Sequence, residues 1–315
     1  MTYFLAQRVA GFLLTLFVVS IIVFAVMNVL PGDPALTILG IDSTEDARAA
    51  LRERLGLNDP VVLRYLRWAM AAVQGDFGIS YSFGVPVAEL VAERLPLTFT
   101  LAIAGTVVTI ATALFLGISA AARHGRSGDW AIMLFSQMGI AIPAFWLSML
   151  LVLLFAVKLQ WLPPGGFPGW DDPMETLRAL VLPTVALALV QAAVLARVTR
   201  SAALEVMRQD FVRTAQATGF SPRRILWGHV LPNALIPIVT IVGLQFASLV
   251  TGTIVIENVF YLPGLGRLLF QSIGNRDLIT VQALVMLFSV FVVTANFIVD
   301  IAYVLIDPRL REGRA

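Results

Sequence analysis

The chain has 315 residues, 58% hydrophobic and only 13% charged, with a formal net charge of +2 and a mean hydropathy of +0.86. A water-soluble domain is about half apolar and a quarter charged, so this composition excludes one and calls for a bilayer around much of the surface. The absence of cysteine excludes a disulfide framework, a thiolate zinc site, an iron–sulfur cluster and a cysteine nucleophile, and so small a net charge gives no global basic field for nucleic acid.

Apolar, nearly charge-free runs at residues 9–30, 95–122, 131–157, 179–196, 231–256 and 279–306 predict six membrane helices. Each is near or above the roughly 20 residues that a helix needs to cross about 30 Å of hydrocarbon. The first run follows Arg8 and is read as a retained anchor: Val26-Met27-Asn28-Val29-Leu30 offers no small-residue cleavage site. After it, Pro31-Gly32-Asp33-Pro34 ends the helix and opens an outer segment that extends to residue 94. Within it residues 44–57 read as an amphipathic helix, with Ala47, Leu51 and Leu55 at helical spacing, packed on the outer membrane face or on a partner. Two shorter outer loops, 158–178 and 257–278, are rich in Pro, Gly and aromatic residues, and Trp161 and Trp170 fit an interfacial belt.

Orientation follows from the cations near the span ends. One side carries Arg8, Arg123, Arg126, Arg197, Arg200, Arg208, Arg213, Arg223, Arg224, Arg309, Arg311 and Arg314; the opposite short loops carry Lys158, Arg178, Arg267 and Arg276. Twelve against four places both termini in the cytoplasm, as an even number of spans also requires.

Lipid tails are as apolar as leucine, so spans associate through close backbone approach and interhelical hydrogen bonds. Ladders at steps of four, Gly105-Thr109-Ala113-Gly117-Ala121 and Thr184-Ala188-Ala192-Ala196, are expected packing seams. Gln137, Gln191, Gln245, Asn296 and Asp300 are polar groups inside spans, expected either to bond between helices or to line a wet pathway; for Asp300 pairing near Asp307, Arg309 and Arg311 is the simpler role. Pro143 and Pro237 are expected kinks.

The inner loop, residues 197–230, is too long and too patterned for a connector. Leu204, Met207, Phe211 and Ala215 recur at helical spacing among polar residues, which predicts an amphipathic cytoplasmic helix. Gly219 suits its end, and Ser221 followed by Pro222 suits the N-cap and first turn of a second helix. Arg223 and Arg224 then fall in a first turn, where the helix dipole disfavours cations, so either topogenic charge or an acidic partner surface must offset them. No Walker A loop surrounds Lys158, the only lysine, and neither His124 nor His229 belongs to a zinc or nucleophile motif. The chain is therefore expected not to be an enzyme by itself.

Several stretches carry a resemblance. Phe211-Val212-Arg213-Thr214-Ala215-Gln216-Ala217-Thr218-Gly219 and His229-Val230-Leu231-Pro232-Asn233-Ala234 lie in the inner loop. Leu30-Pro31-Gly32-Asp33-Pro34-Ala35, Gly75-Asp76-Phe77-Gly78 and Glu93-Arg94-Leu95-Pro96 lie outside. Phe260-Tyr261-Leu262-Pro263-Gly264-Leu265-Gly266-Arg267 and Ile306-Asp307-Pro308-Arg309 follow in order. Over nearly its full length the chain resembles the B-type permease subunits of dipeptide, oligopeptide and nickel ABC importers. Against the general importer signature of that loop, Gly219, Leu231 and Pro232 fit, while Arg213, Thr214 and His229 stand where glutamate, alanine and isoleucine are usual.

The resemblance implies an all-α, polytopic membrane protein of six transmembrane helices, a type I ABC importer permease-like bundle in the bacterial inner membrane. It divides into a tail and first span (1–30), an external segment (31–94), a five-helix core with its coupling loop (95–306, loop 197–230) and a cytoplasmic tail (307–315). It implies a homologous second permease, two cytosolic ATP-binding subunits that hold ATP and Mg, an extracytoplasmic solute-binding protein and surrounding lipid, with no cofactor, metal or nucleic acid on this chain. Phe211, Arg213, Thr214, Ala215, Gly219, Phe220, Ser221, Pro222, Arg223 and Arg224 would form the ATPase-coupling element, and Gln137, Gln191, Gln245 and Asn296 are candidates for the pathway. Cargo stays open among peptides, nickel chelates, glutathione and oligosaccharides. A secondary transporter or channel independent of ATP, or a passive anchor, are the other readings.

Overall fold

The computed structural model describes residues 2–29, 34–40, 43–54 and 56–306. Expectations that rest on Pro31-Gly32-Asp33, on Leu55 or on the tail from Asp307 lie outside them. Among the described residues the regular structure is helical, with one isolated antiparallel bridge between Ile79 and Pro86.

Five continuous helices contain segments long and apolar enough to cross a membrane: α1 (Thr2–Val29), α5 (Val87–Ala122), α8 (Pro173–Met207), α11 (Leu231–Val259) and α13 (Leu278–Ile306). The remaining expected span, 131–157, is not one helix. It is a pair, α6 (Ser127–Ala141) and α7 (Ala144–Leu151), the latter continued by a π-helical stretch Val152–Lys158, with a bend of 107° between them. Pro143 is the cause. It has no N–H to donate and bars the preceding residue from the α region, so Ile142 (ψ 123°) and Pro143 (ψ 136°) are both extended. The ends of the pair are held at distant levels of α8: Asp129 pairs with Arg200, and the Trp161 carbonyl, three residues past the π-helical stretch, accepts from Arg178 at 3.4 Å. Arg178 to Arg200 is about 33 Å of helix, as much as the hydrocarbon thickness, so the pair reads as a broken span rather than a re-entrant hairpin. By contrast α11 runs through Pro237.

Two other boundaries differ from the sequence reading. α5 begins at Val87, eight residues before Leu95, and passes through Pro96. α8 starts on a strong N-cap, where the Asp172 carboxylate accepts from Met174 N and Glu175 N and Pro173 opens the first turn. Its 35 residues reach well past any bilayer, so Leu204 and Met207 belong to the membrane helix itself. Gln209, extended at ψ 151°, separates them from α9 (Asp210–Ala217), and the single amphipathic helix expected across 204–215 is two helices.

The chain forms two compact units, Met1–Thr98 with Pro263–Thr294, and Phe99–Leu262 with Ala295–Ala315. In the first, α2 (Pro34–Leu39), α3 (Glu45–Arg54) and α4 (Val61–Val73) make up the helices of the outer segment, and α12 (Leu265–Gly274) packs Leu265 and Leu268 inward. Thr98 Oγ1 accepts from Leu265 N at 2.9 Å. Buried Asp277 caps α13, accepting from Thr280 Oγ1 and from Ser80 Oγ of the outer segment. The helix expected at 44–57 exists as α3, but Ala47 is exposed; the amphipathic element with a continuous apolar strip is α4.

The second unit is built on the seam between α5 and α8. A Cβ on Gly117 would lie 2.5 Å from Thr199 Cβ, and one on Gly105 2.9 Å from Leu187 Cδ2. Ala113, Ala121, Ala188, Ala192 and Ala196 are buried along the same faces, so both small-residue ladders are packing seams, as contact between backbones in lipid requires. Gly139 of α6 meets Ala193 in the same way, its Cβ position 2.7 Å from that of Ala193.

Candidate functional site

The inner loop folds into a corner of two short helices. α9 ends in a Schellman turn: Phe220 N–H donates to Ala215 O, Gly219 N–H to Gln216 O, and Gly219 takes φ +81°, a conformation that any other L-residue adopts only with strain. Ser221 then caps α10 (Pro222–Ile225), its Oγ accepting from Arg224 N at 3.4 Å with Pro222 in the first turn. α10 continues through a π-helical stretch, Leu226–Val230, directly into membrane helix α11. There Leu231 N–H reaches Leu226 O, five residues back, and the wider turn accommodates Pro232, which has no N–H for an α-helical bond. The corner is thus joined to α11 without an intervening loop.

The underside of the corner is buried. Val212 and Ala215 of α9, Ile225 of α10 and Val230 pack with Ala202, Ala203 and Val206 of α8 in one apolar cluster. The break after Met207 resets the helical phase, so Val212 takes the inward position that the sequence pattern gave to Phe211. Phe211 is 39% exposed instead, and Trp227, not singled out in the sequence, is 47% exposed on the same corner. Arg213, Thr214, Gly219, Ser221, Pro222, Arg223 and Arg224 are exposed. Phe220 is half-buried, stacked on His229 with ring centroids 5.5 Å apart, and the Arg224 guanidinium sits 4.5 Å from its ring. Arg213 pairs with Asp210 at 3.3 Å, both so exposed that the pair contributes little. Arg223 has no ion-pair or hydrogen-bond partner among the described residues. Of the ten expected coupling residues, eight are exposed, Phe220 is half-buried and Ala215 is buried beneath them.

The four pathway candidates separate. Gln245 is buried in α11 and donates from Nε2 to the main-chain carbonyl of Gln191 in α8 at 3.1 Å, an interhelical bond, while Gln191 itself is half-buried. Gln137 and Asn296 are exposed and hydrogen-bond to no described residue. An exposed amide at membrane depth must face water or another protein, because lipid offers it no partner.

One cluster was not legible in the sequence. Asp129, 3% exposed, receives a bidentate pair from Arg200, Nε to Oδ1 at 2.6 Å and Nη2 to Oδ2 at 2.7 Å, with Gly125 N–H at 3.0 Å and His124 Nδ1 at 3.2 Å from Oδ2. It ties the α5–α6 turn to α8. The only available signal was a lone acid at the edge of an apolar run whose flanking charge is otherwise basic. Among the described residues no cluster of three or more His, Cys, Asp or Glu residues is placed to hold a metal.

Two family models match the chain: an inner membrane component of binding-protein-dependent transport systems over residues 113–312, and the N-terminal region of such membrane components over residues 1–102. The chain is 40% identical over 312 residues to a peptide transport system permease protein of Brucella abortus, covering 99% of each. It is also 40% identical over 311 residues, 99% of each chain, to the glutathione transport system permease protein GsiC of Escherichia coli. A probable peptide ABC transporter permease of Sinorhizobium fredii is 38% identical over 312 residues, 99% of this chain and 100% of the relative. Among solved structures, a chain of a methionine ABC transporter in an inward-facing conformation aligns at a TM-score of 0.52 with 22% identity, over 70% of this chain and 96% of its own. An amino acid ABC transporter aligns at 0.51 with 15% identity, over 68% and 93%.

Proposed function

This chain belongs to the inner-membrane components of binding-protein-dependent transport systems, and on that premise we propose that it forms half of the translocation pathway for di- or oligopeptides. It is a multi-pass permease of the bacterial inner membrane that works with ATPase and solute-binding partners. In our reading the full complex holds a homologous second permease, two cytosolic ATP-binding subunits that carry ATP and Mg, and one external binding protein. Peptide as the cargo follows the names of the relatives, one of which transports glutathione, itself a tripeptide.

The observation that carries the coupling role is the exposed corner from Phe211 to Arg224, packed from below and uncovered above. Its cations sit in the first turn of a helix, where the dipole opposes them, and an acidic cleft on an ATPase would offset that cost. The corner is joined to α11 by continuous helix, so closure of the ATPases would tilt α11 and α9 together and change which side of the pathway is open. Gln137 and Asn296 are the polar groups we assign to the pathway or to the seam with the second permease. The test is uptake of a radiolabelled dipeptide into proteoliposomes holding the whole complex. Uptake must require internal ATP and survive collapse of the membrane potential by an ionophore; loss of uptake with ATP still present would favour a secondary transporter.

A further inference from the structure

The outer helix α4 has features that transport does not explain. Val62, Leu66, Met70 and Val73 form one strip along it, from 47% to 89% exposed. Its opposite face lies against membrane helix α1: Tyr65 and Trp68 pack on Phe24 at 5.4 and 5.8 Å, and the Tyr65 hydroxyl meets Ser20 Oγ at 2.8 Å. Ser20 lies nine residues before the end of α1, about 13 Å below it, so α4 sits beside the outer leaflet rather than above it. The strip is also continuous in kind with the exposed face of α1, where Phe17, Ile21 and Ile22 are 41% to 55% exposed, as in a face suited to lipid.

Between α4, the outer end of α1 and the start of α13 lies a cavity of about 260 Å³. Arg64, Arg67, Tyr81, Asn28 and Gln282 line it, and among the described residues no carboxylate does. Arg67 is engaged by Asp59, whereas Arg64 has no partner among the described residues. Gln282 Nε2 is buried without a hydrogen bond. Burial, and then the charge of Asp277, push the Tyr81 phenol above its ordinary value, so its hydroxyl stays a donor. The polar side of the cavity is thus rich in donors and net positive, and apolar side chains, those of α1 and α13 among them, line the rest.

We propose that α4 lies in the outer leaflet with Val62, Leu66, Met70 and Val73 in the acyl region, and that the cavity beside it binds the phosphate headgroup of an anionic phospholipid through Arg64. The guanidinium fork suits phosphate oxygens, and Gln282 and Tyr81 supply neutral donors at its margin.

The chain has no cysteine, so a single labelling site can be introduced in this subunit without background and labelled before the full complex is assembled. NBD attached at Leu66→Cys or Met70→Cys, in nanodiscs, is expected to emit blue-shifted and to be quenched by lipids carrying a doxyl group near the headgroup end of the acyl chain. Emission typical of water at both sites, or protection of both only when the binding protein is added, overturns the placement of α4. For the cavity, native mass spectrometry of the complex is titrated with phosphatidylglycerol in one arm and with inorganic phosphate in the other. Arg64→Ala is expected to weaken retention of the tightest lipid by roughly tenfold, and Arg64→Lys by less, with the melting temperature of Arg64→Lys unchanged. Equal retention by wild type and both variants overturns the headgroup site, and displacement of the lipid by millimolar inorganic phosphate makes it a site for a soluble anion instead.

Discussion

Reversal of Arg223 and Arg224 to glutamate separates folding from coupling. Both side chains are exposed in the first turn of a helix that runs on into α11. Replacing a cation by an anion there improves the interaction with the helix dipole, by about 0.5 to 1.5 kcal/mol for Arg223, which has no described partner to lose. Arg224 gives up its position over the Phe220 ring, worth about 0.5 to 1 kcal/mol at an exposed site, so its reversal is close to neutral. The doubly substituted permease should therefore melt at the wild-type temperature or slightly above it when purified alone. In the assembled complex the same two charges would face acidic groups. Uptake and substrate-stimulated ATPase activity in proteoliposomes should fall more than tenfold, consistent with a loss of several kcal/mol when like charges meet at an interface. Normal uptake would show that the corner seats on nothing acidic. A fall in melting temperature matching the fall in uptake would make the arginines structural, and the reasoning from the dipole would be wrong.

Gly219 offers a graded version of the same test. A Cβ there meets nothing within 4 Å, so Gly219→Ala carries only the backbone cost of φ +81°, about 1 kcal/mol, and Gly219→Asn less, while Gly219→Pro cannot reach that φ and also loses the bond to Gln216. Transport rates should rank Gly, Asn, Ala, Pro, and a flat series in an uptake assay would remove the turn from the mechanism. Asp129→Ala strands Arg200 in a largely buried place and should cost about 3 kcal/mol in thermal unfolding, with Asp129→Leu combined with Arg200→Met recovering most of it; additive losses would show that the two do not act as a pair. Gln245→Leu removes one interhelical bond together with the buried, unbonded Oε1, and should change stability by less than about 1 kcal/mol and leave uptake intact. By contrast Gln137→Leu or Asn296→Leu should leave the melting temperature alone and lower uptake or the yield of assembled complex; wild-type behaviour of both in the two assays would mean that neither meets water or a partner.

Five spans were legible because long apolar runs admit no other fold. The sixth was legible as a run but not as a shape: Pro143 announces a break, while the size of the 107° bend comes from two consecutive extended residues that hydropathy does not encode. The Gly219, Ser221 and Pro222 corner could be read in advance because each residue has a local backbone reason to be there. Phe211 could not, since a periodic pattern read across Met207 and Asp210 assumes a phase that the break at Gln209 destroys. Asp129 and Arg200 are 71 positions apart and meet only through helix packing, which no local pattern records. The outer segment shows the same limit from the other side, because α3 has the charges of a surface helix but α4, less conspicuous in sequence, presents the apolar strip.

A photocrosslinking amino acid placed at Phe211, in the assembled complex and in native membranes, asks most directly what covers the corner. Force transmitted from nucleotide hydrolysis through this bend predicts a crosslink to an ATP-binding subunit that changes in yield between nucleotide-free and ATP-bound states. Crosslinks confined to lipid or to this chain itself, insensitive to nucleotide, would contradict it.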